Sequence, residues 1–100
     1  MLMEINKTRT EGRLDIALKG RLDTTTSPAL EAELKESIEG VTSLNFDFAG
    51  LEYISSAGLR VILAAQKIMN NQGEMTVKNV CEDIMEVFDI TGFVDILTIE

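Results

Sequence analysis

Asp47-Phe48-Ala49-Gly50-Leu51-Glu52-Tyr53-Ile54-Ser55-Ser56-Ala57-Gly58-Leu59-Arg60 is the stretch on which the reading of this chain turns. Just before and into it, Leu44, Phe46 and Phe48 alternate with Asn45 and Asp47, the period of two expected of a strand with one buried face. After it, Ala57 to Gln72 reads as a helix that is apolar nearly all round through Leu59, Val61, Ile62, Leu63, Ala65, Ile68 and Met69. Such a helix should be largely buried, and Gly73 supplies its stop. The stretch therefore reads as a strand end, a loop and a helix start. In parallel α/β sheets, binding sites gather at the carboxyl ends of strands. Small residues at 55 to 58 let a partner approach the backbone, and Ser56 is a natural N-cap for the helix.

The same alternation of periods extends outward in both directions. Leu2 to Thr8 predicts a first strand, followed by a turn at Thr10-Glu11-Gly12. Leu14, Ile16 and Leu18 alternate with Asp15, Ala17 and Lys19, marking a second strand. Ser27-Pro28 then opens a helix, with serine at the N-cap and proline at the first helical position. Leu30, Leu34 and Ile38 share one face of it, Gly40 stops it, and Glu31 and Glu33 lie near its positive end. Met75 to Val80 predicts a fourth strand. Glu82 to Thr91 predicts a third helix, with Ile84, Val87 and Phe88 on one face and Gly92 as its stop. Ile96 to Ile99 suggests a short last strand. The expected fold is a single α/β domain over residues 1–100: a mixed sheet of four or five strands, mainly parallel, joined by right-handed crossovers and covered by three main helices.

Composition narrows the function classes. One hundred residues with 45% hydrophobic side chains suit one modest core. No apolar run approaches the roughly 20 residues that span a bilayer, and Met1 to Asn6 lacks the basic flank and apolar stretch of a signal peptide. A cytoplasmic location is the expectation. Cys81 is the only cysteine and histidine is absent, which removes intrachain disulfides and makes a structural zinc site improbable. A formal charge of −8 argues against nucleic acid and anionic membranes, which need a cationic face. Without histidine there is no Ser-His-Asp arrangement; no Ser-x-x-Lys spacing replaces it, and neither GxGxxG nor GxxxxGK[ST] is present. Intrinsic catalysis and a bound cofactor are therefore not expected.

Taken singly, the candidate residues have plain structural explanations. Ser55 and Ser56 before a helix are usually caps, and Asp47 reads as a solvated strand end. Asp23 with Thr24-Thr25-Thr26 reads as a turn and cap. Tyr53 reads as packing, Arg60 as a surface charge and Cys81 as structural.

Together, and in this order, the pieces resemble the STAS family, the domain of anti-sigma-factor antagonists and of the cytoplasmic tails of sulphate transporters. Gly20-Arg21-Leu22-Asp23 with its small polar followers looks like the family's loop after the second strand. Asp47 to Tyr53 looks like its third strand and following turn, and Ile54-Ser55-Ser56-Ala57-Gly58-Leu59 like its phosphorylation motif. That motif often reads Asp-Ser-Ser/Thr-Gly with the first serine modified. Aligned on Gly58, Ser56 takes the modified position, Ser55 replaces the aspartate and Ala57 the second hydroxyl residue. The resemblance implies a protein-binding switch: an unphosphorylated antagonist sequesters an anti-sigma factor, itself a serine-protein kinase, and frees a sigma factor. A serine phosphatase would reverse the modification. The implied partner surface is Asp23, Thr24, Ser55, Ser56, Ala57, Gly58 and Arg60, with Ser56 the phosphorylated residue. The family also contains constitutive adaptors in stress-signalling and lipid-transport assemblies, the competing expectation.

Overall fold

Period-two patterning becomes a sheet in which one face is buried and the other is left to solvent. The computed structural model describes residues 3–100, as β1 (Met3–Thr10), β2 (Arg13–Leu22), α1 (Ser27–Ser37), β3 (Ser43–Ile54), α2 (Ser56–Met69), β4 (Glu74–Lys78) and α3 (Glu82–Thr91), with a 3-10 turn at Phe93–Asp95. The strands lie in the order β1-β2-β3-β4; β1 and β2 are antiparallel, while β2, β3 and β4 run parallel. Leu14, Ile16 and Leu18 of β2, Leu44 and Phe46 of β3, and Met75 and Val77 of β4 are buried in register. Their alternates Arg13, Asp15, Asn45, Asp47 and Thr76 are half-buried or exposed. Because the alternates are polar, helices can cover only the other face.

The sheet's two edges are managed differently. On β1, Lys7 reaches Glu33 (2.7 Å) and the Ser37 hydroxyl (2.6 Å), and Arg9 donates to the carbonyls of Ser37 and Glu39. Cations are favoured where a helix ends in unpaired carbonyls, so these two strand residues tie down the end of α1. On β4, the chain returns beside Val77, whose N–H and carbonyl bond to Thr98 and Glu100. This single parallel bridge, Val77 with Ile99, is all that forms of the expected fifth strand. Leu97 is buried while Ile96 is 47% exposed, and the turn at Phe93–Asp95 brings the segment in too late to add further rungs.

Several boundaries differ from expectation. The Leu2 start of the first strand lies outside the described residues, and the strand continues to Thr10. The expected loop after Phe48 is strand: β3 stays paired with β2 as far as Ile54. Two register shifts, between Ala17 and Lys19 and between Gly20 and Arg21, place extra residues on β3. Each extra residue resets which face the next side chain meets. Phe48, Leu51 and Ile54 are consequently all buried at a spacing of three, which hides the strand from a period-two reading.

At the start of α1 the cap is Thr26, with Ser27 and Pro28 already inside the helix. Glu31 and Glu33 fall beyond its first turn. In α2, Leu63 is half-buried and Ala64 and Ile68 are exposed, so the helix has an open stripe. The helix ends at Met69, before Gly73. Gly73 is required for a different reason: a Cβ there would stand 2.0 Å from the Thr42 carbonyl oxygen, against which the chain passes as Glu74 N–H bonds to it at 2.9 Å. α3 forms over the expected residues, capped by Gly92 at φ 82°. Its Phe88 packs between Phe48 (6.5 Å) and Phe93 (6.2 Å).

Gly73→Ala must push two backbone segments apart. It should cost about 3 kcal/mol, at the upper end of overpacking effects, and lower the melting temperature by more than about 10 °C for a domain of this size. Thermal unfolding followed by circular dichroism measures this; a shift within a degree or two would mean that the strand entry relaxes freely.

Candidate functional site

The parallel strands β2 and β3 end side by side, with Arg21 opposite Tyr53 and Leu22 opposite Ile54. The Ser55 N–H then bonds to the Leu22 carbonyl at 2.9 Å, so the two loops that follow these strands start within a residue of each other. Gly58 completes the joint. A Cβ at this position would lie 2.9 Å from the Leu22 carbonyl oxygen, 2.8 Å from Leu22 Cγ and 2.9 Å from Ile54 Cγ1. Only a residue without a side chain allows the first turn of α2 to rest on both strand ends.

That docking assigns the two serines distinct places. Ser55, not Ser56, is the N-cap: its backbone is extended, its Oγ accepts from Gly58 N–H at 3.3 Å, and its carbonyl accepts from Leu59 N–H at 2.9 Å. Ser56 is the first helical residue, and it is exposed. Its own N–H and that of Ala57 face no intrahelical carbonyl, as for any first turn.

On the β2 side, Asp23 organises its loop. Its Oδ1 accepts from the Thr25 N–H (3.0 Å), the Thr25 hydroxyl (2.8 Å) and the Thr26 N–H (3.1 Å). Thr26 Oγ1 in turn accepts from Asp23 N–H and donates to the Arg21 carbonyl, both at 2.8 Å. The Thr25 hydroxyl above all, with the N–H groups of Thr26 and Thr25, holds the Asp23 carboxyl below the ordinary aspartate range against the opposing effect of burial. The Arg21 guanidinium lies 4.1 Å from the centre of the Tyr53 ring and 3.8 Å from Asp23, spanning the two strand ends.

Between the starts of α1 and α2 runs a groove of about 240 Å³, with Thr24, Ser27 and Pro28 on one wall and Ala57, Arg60 and Val61 on the other. Asp23, Thr24, Ser55, Ser56, Ala57 and Arg60 thus share one end of the sheet, while Gly58 is buried beneath them. Ser27, Pro28 and the Arg21–Tyr53 contact belong to the same end; the sequence reads Ser27 and Pro28 as a helix start and Tyr53 as packing, which left them out of the partner surface. The only hint was Pro28, whose place in a first turn puts it on whatever that turn faces. Asp47 lies elsewhere. It pins the first bulge of β3, accepting from Ala49 N–H and Asn79 Nδ2 at 2.9 Å each. Those bonds, the Asn79 amide first, keep its carboxyl below the usual range. Cys81 is exposed at the head of α3. Among the described residues no cluster of acidic, cysteine or histidine side chains is placed to hold a metal, and no helix is long and apolar enough to cross a membrane.

Two measurements probe this construction. Asp23 has a lowered folded pKa, so its stabilising effect is complete above the ordinary aspartate value of about 3.9 and disappears as pH falls through the lowered folded value. Acid unfolding of Asp23→Asn should show a smaller loss of stability over that window than the parent; identical profiles would mean the loop bonds do not depend on the charge. In addition, Ser55→Ala should cost about 0.5–2 kcal/mol through the lost cap, whereas Ser56→Ala should cost a few tenths at most. Urea unfolding separates the two, and the reverse order would make Ser56 the cap.

Comparison with known proteins matches residues 4–100 to the family model described as STAS domain. The protein of Bordetella bronchiseptica named as anti-sigma factor antagonist BtrV is 34% identical over 99 residues, spanning 97% of this chain and 85% of the relative. The anti-sigma-B factor antagonist of Bacillus subtilis is 27% identical over 100 residues, spanning 99% of this chain and 92% of the relative. Among solved structures, the Bacillus cell fate determinant SpoIIAA in its phosphorylated form superposes with a TM-score of 0.77 at 20% identity, over 97% of this chain and 91% of that one. At that identity the structural likeness is one of fold.

Proposed function

The chain belongs to the STAS domain family, and from that premise we propose that it is an anti-sigma-factor antagonist switched by phosphorylation of Ser56. The observation that carries the reading is the position of Ser56, an exposed hydroxyl on the first helical residue of α2, directly after the Ser55–Leu22 bond that joins the ends of β2 and β3. Relatives covering nearly the whole chain bear the antagonist's name, and SpoIIAA, which shares the fold, exists in a phosphorylated form. The same relatives leave the constitutive adaptor without support of its own.

In the unphosphorylated state, the end of the sheet formed by Asp23, Thr24, Ser55, Ser56, Ala57 and Arg60 docks on an anti-sigma factor and so frees the sigma factor. The anti-sigma factor acts as the serine kinase, and a serine phosphatase restores the hydroxyl. This chain supplies a surface and an acceptor hydroxyl, with no catalytic group and no cofactor, and works in the cytoplasm. A phosphoserine adds about −1.5 to −2 charge at neutral pH. At the start of α2 that charge meets free N–H groups and the positive end of the macrodipole, so the fold tolerates it. A partner surface fitted to a small neutral hydroxyl does not. The switch therefore acts by desolvation and repulsion at the contact, with the domain folded in both states.

Phosphosite mapping after incubation with the cognate kinase and ATP tests the assignment. Ser56→Ala should abolish phosphorylation while retaining kinase binding. Ser56→Asp should bind poorly yet melt at or above the parent temperature, because an acid in the first turn is electrostatically favoured. Ser55→Ala should still be phosphorylated. Phosphate on Ser55, or full binding by Ser56→Asp, would overturn the proposed switch.

A further inference from the structure

Ser56 and Arg60 stand one helical turn apart on α2, both exposed and both inside the helix. Residues at i and i+4 are neighbours on a helix surface, with Cβ atoms about 5–6 Å apart. Among the described residues, the Arg60 guanidinium makes no hydrogen bond or ion pair. It lies along the groove between α1 and α2, which Glu31 lines from the α1 side. Glu31 pairs instead with Lys35 of its own helix, at 4.0 Å. Arg21, at the end of β2, is engaged by the Tyr53 ring at 4.1 Å and by Asp23 at 3.8 Å. Arg60 is therefore an uncommitted cation beside the serine.

A phosphate on Ser56 changes both the reach and the charge of that position. It extends the side chain by a phosphorus bearing three acceptor oxygens. A guanidinium fork can take two such oxygens at once, and an acid placed four residues before a base is the favourable order on a helix.

Resting on the Ser56 switch, we propose that Arg60 is the internal counter-ion of the phosphorylated residue, closing an i,i+4 pair that is absent before modification. Phosphorylation then alters the docking surface twice: it adds charge at residue 56 and withdraws the free cation at residue 60. A partner carboxylate that meets Arg60 beforehand loses that contact afterwards. The other charged groups at this end of the sheet are Glu31 of α1, Arg21 and Asp23 at the end of β2, and Glu52 of β3. Those groups and the N-terminus of α2 are the same in every variant compared below, so their influence cancels.

Phosphoserine is installed at residue 56 of the full chain during synthesis, without a kinase. The second ionisation of the phosphate is then followed by phosphorus NMR in the parent, Arg60→Gln, Arg60→Lys and Lys67→Gln. Lys67 controls for net charge: it lies eleven residues along α2 from Ser56, about 16 Å at the usual helical rise, against a screening length of roughly 8 Å at 0.15 M salt. A cation beside the phosphate favours the dianion, so the parent should ionise at lower pH than Arg60→Gln, by about 0.3 unit or more. Arg60→Lys keeps the charge and should stay closer to the parent than to Arg60→Gln, while Lys67→Gln should match the parent. Equal ionisation in the parent and Arg60→Gln overturns the proposal, as does an equal shift from Lys67→Gln or an Arg60→Lys chain that ionises like Arg60→Gln. Because the phosphate is placed chemically, such a result counts against Arg60 alone; failure of the cognate kinase to modify Ser56 counts against the switch.

Discussion

The contact between Gly58 and the Leu22 carbonyl is the constraint from which the candidate functional end of this molecule follows. Because residue 58 has no side chain, the first turn of α2 settles onto the ends of β2 and β3 instead of standing off them. The Ser55 N–H can then reach the Leu22 carbonyl, which leaves Ser55 extended and able to cap the helix. Capping by Ser55 in turn places Ser56 on the first helical residue with its hydroxyl exposed. A single methyl group at residue 58 would disturb every step of this sequence at once.

Around that joint, the loop after β2 is held by a carboxylate rather than by packing. Asp23 collects three short bonds from Thr25 and Thr26, and Arg21 covers the seam between the strands by stacking on Tyr53. The surface is thus prearranged. Binding to such a surface loses little conformational entropy, which leaves the interaction sensitive to small chemical changes at its centre. The proposed phosphate on Ser56 would be a large change on that scale. The helix N-terminus beneath it would stabilise that charge inside the domain and do nothing to reduce its cost to a partner.

The one-sided sheet fits a small regulatory domain. A core of about one layer of helices on one sheet face is what 100 residues can fill, and the polar face keeps the parallel strands soluble without a second helical layer. Cationic β1 and the returning segment at Thr98 to Glu100 protect the two edges, where unpaired strands would otherwise invite association.

Much of this was legible in the chain. The alternation in β2, at Leu44 to Phe46 and in β4, together with the helical spacing in α1 and α3, determined the α/β class, the element order and the extent of α3 to the residue, since burial of one face imposes those periods on any sequence. The run from Ile54 to Leu59 pointed to the end of the sheet at which the structure gathers the candidate residues. Tertiary structure alone decided the rest. Bulges carried β3 through to Ile54, because pairing with β2 persists across inserted residues while the side-chain period breaks. Which serine caps α2 depended on how closely the helix approaches Leu22, a distance with no local signature. The expected last strand shrank to one bridge because the turn after Gly92 fixes where the chain rejoins β4. Spacing along a chain records which face each residue turns to the core, but register, caps and close approaches are settled between segments far apart in sequence, and only the assembled fold brings those together.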